Sequence, residues 1–289
     1  MLKNYIYDGS KPFKITDVST DETSLCDEKK KAEKKTEKNA ESIDALQQML
    51  YAEKREGLII LFQAMDAAGK DGTIAHVLQS LSPHGVYEAA FKAPTSTELA
   101  HDYLWRIVEK IPAKGEIAIF NRSHYEDVLI GRVKKLYETQ PQSKRIDPAK
   151  IIDYRYEDIK NFEQYLWHNN VRLIKIFLNV SKKEQAKRFL SRIERPEKNW
   201  KFSAGDVEER VYWDAYQAAF EDAINRTASK EAPWYVVPAD HKWYMRYIVS
   251  EIILSVMKDM DPHFPVVTPE RLAEFSSLKE SLEKEIKEQ

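Results

Sequence analysis

The clearest hydrophobic signal in the chain is one unbroken run, Leu58-Ile59-Ile60-Leu61-Phe62, entered through Gly57 and left through Gln63. A continuous apolar run this short fits a strand buried on both faces of a parallel sheet. Comparable runs at Val86–Phe91, Glu116–Phe120, Val171–Val180 and Trp234–Pro238 predict four more strands. Between them the apolar positions shift to helical spacing. Ile43, Leu46 and Leu50 predict one helix within Asp27–Glu56, with a solvated lysine-rich start. Ser96–Ile111 predicts a helix with Leu99, Tyr103 and Ile107 turned inward. Pro148–Asn170 predicts a long helix, Ser181 caps a basic one, and another follows the fifth strand to about Met260. Strands alternating with helices predict an α/β three-layer sandwich, a five-stranded parallel sheet with helices on both faces.

The pattern divides the chain into an arm and helix over 1–56, one α/β unit over 57–265, and a C-terminal helix over 266–289. In the last, Leu272, Phe275, Leu278, Leu282 and Ile286 share one helical face. Packing of that stripe on its own domain is expected, with a subunit interface as the alternative. A homo-oligomer, dimer or tetramer, is expected.

Composition changes this picture little. Hydrophobic residues make up 43% of the 289, enough to build a core, so global disorder is excluded. Lys and Arg number 45 against 47 Asp and Glu, so a polyanion site must come from local clustering. Glutamates interleave the lysine run after Asp27, which reads as a solvated helix rather than a nucleic-acid tail. The one cysteine, Cys26, makes no internal disulfide and lies beside Asp27 and Glu28, which disfavours a reactive thiolate. The start lacks the apolar core of a secretory signal, and the Gly57–Phe62 run is too short to span a bilayer. A cytoplasmic protein without a nucleic-acid or membrane partner is expected.

Candidate chemistry gathers in three segments. The first, Phe62 to Thr73, reads FQAMDAAGKDGT and joins the strongest strand to a helix. That is the setting of a phosphate-binding loop, in which backbone N–H groups point at phosphate oxygens. Ala67, Ala68, Gly69 and Gly72 would supply such backbone, and Lys70 a compact cation. The pattern is altered. Ala64 stands where the usual loop has its first glycine, and Asp71 where a Ser or Thr would bind magnesium, although Thr73 lies close by. Asp66 and Asp71 would repel phosphate unless they hold magnesium against it or orient an acceptor. The alternative is that Asp71 only stabilises a helix N-terminus.

The second segment, IFNRSHYEDVL, ends the third predicted strand. Ligands of open parallel sheets sit beyond such strand ends, so Asn121, Arg122 and Tyr125 are expected beside the Lys70 loop. Arg122 suits a transferring phosphoryl group. Glu126 and Asp127 would contact a substrate or start a helix, and His124 is expected to pack or to lie at the surface rather than to act in catalysis. The third segment, Ser181–Asp206, is the densest basic stretch. Arg188, Arg192 and Arg195 fall on one helical face, and Lys198 and Lys201 follow Pro196. A lid over phosphates, about 188–206, or a solvated surface helix would each account for it.

MDAAGKDGT, NRSHYEDVL and RIERPEKNWKFSAGD, in this order and spacing, resemble the polyphosphate kinase 2 family, as does the opening KPFKITDVSTDET. The resemblance runs from about Lys11 to Pro265. It implies a P-loop kinase-like fold similar to thymidylate kinase, and transfer of a phosphoryl group from inorganic polyphosphate to AMP or ADP, giving ADP or ATP. Guanine nucleotides are further candidate acceptors. By the resemblance, Asp66 serves metal and phosphate and Asp71 binds a metal or the acceptor phosphate, the metal being magnesium with manganese as a substitute. Lys70 and Arg122 hold the transferring group, and Arg132, Arg188, Arg192, Arg195, Lys198 and Lys201 hold phosphates or the closed lid. The acidic Glu126 resembles the group accepting both mono- and diphosphates. An ATP-dependent nucleotide kinase and a non-catalytic phosphate-binding protein are the rival classes.

Overall fold

The computed structural model describes residues 2–140 and 142–288. Its elements run β1 (Ile6–Tyr7), α1 (Lys29–Glu53), β2 (Gly57–Ala64), α2 (Lys70–Val77), β3 (Val86–Ala90), α3 (Ser96–Leu99), α4 (Trp105–Val108) and β4 (Ile117–Asn121). They continue as α5 (Ile130–Val133), α6 (Ile151–His168), β5 (Val171–Asn179), α7 (Lys182–Glu194), α8 (Ala204–Glu208), α9 (Trp213–Thr227), β6 (Trp234–Pro238), α10 (Lys242–Met260) and α11 (Pro269–Glu288).

The strands form one mixed sheet in the order β1-β6-β5-β2-β4-β3. β2 through β6 are parallel, as their apolar runs predict. The expected five strands become six, because two residues of the N-terminal arm pair antiparallel with β6, Ile6 opposite Tyr235 and Tyr7 opposite Trp234. Two residues are too few to show a strand period in sequence. β2 lies between β4 and β5, and Gly57 to Gln63 are buried, which explains its uninterrupted apolar run. The chain builds β3 and β4 on one side of β2 and then crosses to build β5 and β6 on the other. The crevice beyond the carboxyl end of β2 is therefore the topological switch point.

Two predicted helices differ. Ser96–Ile111 is not one helix but the single turns α3 and α4. The Asp102 carboxylate accepts from Leu104 N at 3.0 Å, a local bond that competes with helix continuation. Ile107 is buried as expected, but Leu99 is exposed rather than inward. The five apolar residues along α11 are also exposed, so the stripe does not pack on its own domain.

Beneath the sheet lies a buried polar network. Lys175 of β5 donates to Glu163 of α6 at 2.6 Å and to Thr227 O at 2.9 Å. The Tyr125 hydroxyl bonds Glu163 at 2.7 Å and Thr227 Oγ1 at 2.8 Å. Burial is the strongest single influence on the Glu163 carboxyl and would push it up, but Lys175 and His124 beside it together outweigh that and hold it below the ordinary range. Such pairs contribute little net stability while intact, yet losing one partner strands a buried charge. Lys175→Ala is expected to destabilise by about 3–5 kcal/mol in urea unfolding, and Lys175→Met with Glu163→Leu to recover most of that loss.

Candidate active site

The loop Met65–Gly69 leaves the end of β2 at the switch point. Gly69 starts α2 with φ 107°, and a Cβ there would meet Met245 Cε at 3.3 Å. Ala67 (φ 59°) and Arg122 (φ 66°), at the ends of β2 and β4, also take left-handed backbone. For non-glycine residues that conformation costs about 1–2 kcal/mol each, and two such residues facing one cleft mark a constrained site.

The turn at Arg122 carries its guanidinium back over the loop. Nη2 lies 3.2 Å from Asp66 Oδ1 and Nη1 3.6 Å from Glu126 Oε2. Lys70 Nζ donates to Ala64 O at 3.3 Å. Burial, reinforced by the Arg122 charge, pushes the Lys70 ammonium below its ordinary value, against the opposing pull of Asp66, Glu126 and Asp71. Burial likewise pushes the Glu126 carboxyl up, against Arg122 and Lys70. Asn121 Nδ2 donates to Asp71 Oδ1 and to Glu88 Oε1, both at 3.0 Å.

Two cavities share Asp66 and Arg122 as a common wall. The larger, about 470 Å³, is lined by the loop from Ala67 to Gly72, by Lys92 and Asn121, and by Arg192 and Lys201 from the third segment. The smaller, about 60 Å³, is lined among others by Gln63, Glu126, Gln185, Asp206, Arg210 and Tyr216. Cations crowd the larger lobe, while the smaller mixes carboxylates with two arginines, Arg122 and Arg210. Such a cleft suits polyanion oxygens on one side and a second polar group on the other.

The pattern described as polyphosphate kinase 2 matches residues 26–265. The chain belongs to the polyphosphate kinase 2 family. It is 47% identical over 245 residues, 84% of each chain, to a Rhodopseudomonas palustris protein named ADP-polyphosphate phosphotransferase. It is 45% identical over 223 residues to a Meiothermus ruber protein named AMP/ADP-polyphosphate phosphotransferase, covering 77% of this chain and 80% of that one. The crystal structure of polyphosphate kinase 2 from Arthrobacter aurescens superposes with a TM-score of 0.85 at 37% identity, over 93% of both chains.

In this polyphosphate kinase 2 chain the cleft gathers Asp66, Ala67, Ala68, Gly69, Lys70, Asp71, Gly72, Asn121, Arg122, Glu126, Arg192 and Lys201. Other expected site residues lie elsewhere. Tyr125 is fully buried, because Ser123 turns the chain into a 3-10 segment that drives the ring under the sheet into the Lys175 network. Thr73 is also buried, its hydroxyl donating to Gly69 O at 2.9 Å. Arg132 is engaged by Asp222 of α9. Arg195 pairs with Glu197, and Lys198 donates to Ser191 Oγ at 3.4 Å. α7 ends at Glu194 and Arg195 has extended backbone, so it leaves the helical face of Arg188 and Arg192. Arg188 is buried against the loop backbone.

His124 packs, as expected, between Tyr125 and Phe162. Sequence reading missed Lys92, Gln185, Arg210 and Tyr216. Lys92 had a usable signal, because it follows the carboxyl end of β3. Nothing in the spacing of the other three marks them. Gly69→Ala is expected to lose about 1–2 kcal/mol of stability by urea unfolding, since its backbone is left-handed and Met245 crowds the new methyl.

Proposed function

We propose that this protein transfers the terminal phosphoryl group of inorganic polyphosphate to a nucleoside mono- or diphosphate, AMP or ADP, making ADP or ATP. The observation that carries this reading is the meeting of the two lobes at Asp66 and Arg122, with Lys70, Lys92, Arg192 and Lys201 lining the larger. A polyphosphate chain occupies the basic lobe, with its terminal phosphorus presented at Arg122. An oxygen of the acceptor phosphate attacks that phosphorus. One P–O anhydride bond forms and one breaks, and the shortened chain leaves as an anion. The acceptor is already ionised at neutral pH, so positioning and charge stabilisation supply most of the catalysis. Arg122 and Lys70 oppose the charge spread over the transferring oxygens. The segment over 188–206 acts as a lid that brings Arg192 and Lys201 to the chain and excludes water.

Asp66 and Asp71 would hold magnesium, or manganese in its place. Among the described residues there is no group of three His, Cys, Asp or Glu ligands. One or two carboxylates completed by phosphate oxygens is the set that magnesium takes. The ion would neutralise phosphate charge. Guanine nucleotides are proposed as further acceptors, a dimer or tetramer as the working state, and the cytoplasm as its compartment. No helix among the described residues is long and apolar enough to cross a membrane.

Incubation with magnesium, long-chain polyphosphate and AMP should yield ADP and then ATP by chromatography, with no nucleotide donor present. A strict requirement for ATP as donor would overturn the reading. Lys70→Ala and Arg122→Ala should each lower kcat about 10²–10³-fold. Wild-type turnover in either purified variant would remove that residue from the site. Glu126 lies in the smaller lobe against Arg122, where the acceptor phosphate would sit. Glu126→Asn is therefore expected to weaken AMP use more than ADP use, and equal losses would remove Glu126 from acceptor choice.

A further inference from the structure

The carbonyl groups of the phosphate loop are tied back to the protein one after another. Asp66 O accepts from Gln185 Nε2 at 2.9 Å. Ala67 O accepts from Arg188 Nη1 at 3.2 Å, and the same nitrogen donates to Ala68 O. Gly69 O accepts from Thr73 N at 3.0 Å and Thr73 Oγ1 at 2.9 Å. Two side chains of α7, three residues apart, thus hold three consecutive loop carbonyls.

A planar trans peptide carries its N–H opposite its C=O. Turning the Asp66 and Ala68 carbonyls onto α7 therefore turns the N–H groups of Ala67 and Gly69 away from it. Both residues line the larger cavity, and among the described residues nothing accepts from either N–H. Outward N–H groups of this kind make an anion nest. The orientation is not free, since Ala67 sits at φ 59° and rotation of its flanking peptides would relieve that strain. A rotated peptide would replace a donor with a carbonyl oxygen facing phosphate.

Arg188 has no donor left for substrate. Its Nε donates to Glu184 Oε1 at 3.0 Å, its Nη1 to the two loop carbonyls, and its Nη2 to Ala239 O at 2.6 Å and Asp240 O at 3.1 Å. These contacts use all five N–H groups of a guanidinium. The side chain is also buried, at 8% exposure. Gln185 is held in turn by Arg210, whose Nη1 donates to Gln185 Oε1 at 3.0 Å, which leaves the amide nitrogen aimed at Asp66 O.

We propose that Gln185 and Arg188 are positioning residues that set the peptide orientation of the phosphate loop, and that Arg188 is not a ligand of the phosphate chain. The inference rests on the phosphotransfer reading above. It gives the basic face of α7 two jobs: Arg188 shapes the nest, and Arg192, one turn further on, meets the polyanion.

The test compares wild type with Arg188→Met, Gln185→Met and the double variant, using magnesium, polyphosphate and ADP. The readouts are kcat, KM for polyphosphate, the slope of log KM against log salt, and melting temperature. Each single variant should lose about 10–100-fold in kcat/KM, with kcat itself reduced. The double variant should be little worse than Arg188→Met, because both residues act on one loop. The salt slope, which counts cation contacts to a polyanion, should stay at the wild-type value in all three and fall in Arg192→Ala. Gln185→Glu, which sets an acceptor against Asp66 O, should be worse than Gln185→Met.

A reduced salt slope in Arg188→Met would make Arg188 a phosphate ligand and overturn the proposal. Lower melting temperatures with wild-type kcat/KM per folded molecule would overturn it as well. If Arg188→Met does not fold, the two Gln185 variants decide alone, and wild-type kinetics in both would overturn the proposal. No product from wild type with polyphosphate would overturn the underlying reading together with this inference. Active wild type with unchanged variants would overturn this inference only.

Discussion

Arg122 stands between two carboxylates, 3.2 Å from Asp66 and 3.6 Å from Glu126, and those contacts join the ends of β2 and β4 across the crevice. They require the left-handed turn at Arg122, and that turn follows from how the next residues are anchored. Ser123 is buried against Gln63 of β2, and Tyr125 is pinned below the sheet by Glu163 and Thr227. Only Arg122, Ser123 and His124 separate the end of β4 from Tyr125 in that network. A charge cluster at the surface of the crevice is therefore fixed by a polar network within the core, a dependence of site geometry on supporting contacts that catalysis by positioning demands.

The electrostatics follow the same division. The protein has a net charge of only −2, so its attraction for a polyanion is local. Lys70, Lys92, Arg192 and Lys201 line one lobe, while Glu126, Asp206 and Glu209 line the other together with Arg210. Burial works against the charged forms of both Lys70 and Glu126, and each is restored in part by the opposite charges around it. A phosphate entering this cluster meets cations that are partly desolvated already, so less reorganisation remains for the reaction itself.

Much of the fold was legible because β2, β4, β5 and β6 are buried on both faces and so read as apolar runs. The loop, the placing of Arg122 at a strand end beside it and the helix capped by Ser181 were legible through residue types with few alternative uses. β1 was not, because two residues carry no period, and the helix over 96–111 was overread because Asp102 breaks it through one side-chain bond. The arginines show the limit most clearly. Arg188, Arg192 and Arg195 look equivalent by charge and spacing. Only three-dimensional partners separate one bound to loop carbonyls, one facing the cavity and one in an exposed pair with Glu197. Tyr125 failed for a related reason, since a tyrosine after a strand end serves a substrate or a buried carboxylate equally well.

The short strand β1 has a consequence beyond its size. It covers the outer edge of β6 at Trp234 and Tyr235, and Asn225 clasps the backbone of Phe13 through its amide at 2.7 Å and 2.9 Å. Without that cover, β6 would offer bare ladder groups as a template for a neighbouring chain. The arm is thus a guard against sheet-to-sheet association, and trimming it to shorten the protein would trade a few residues for a tendency to clump.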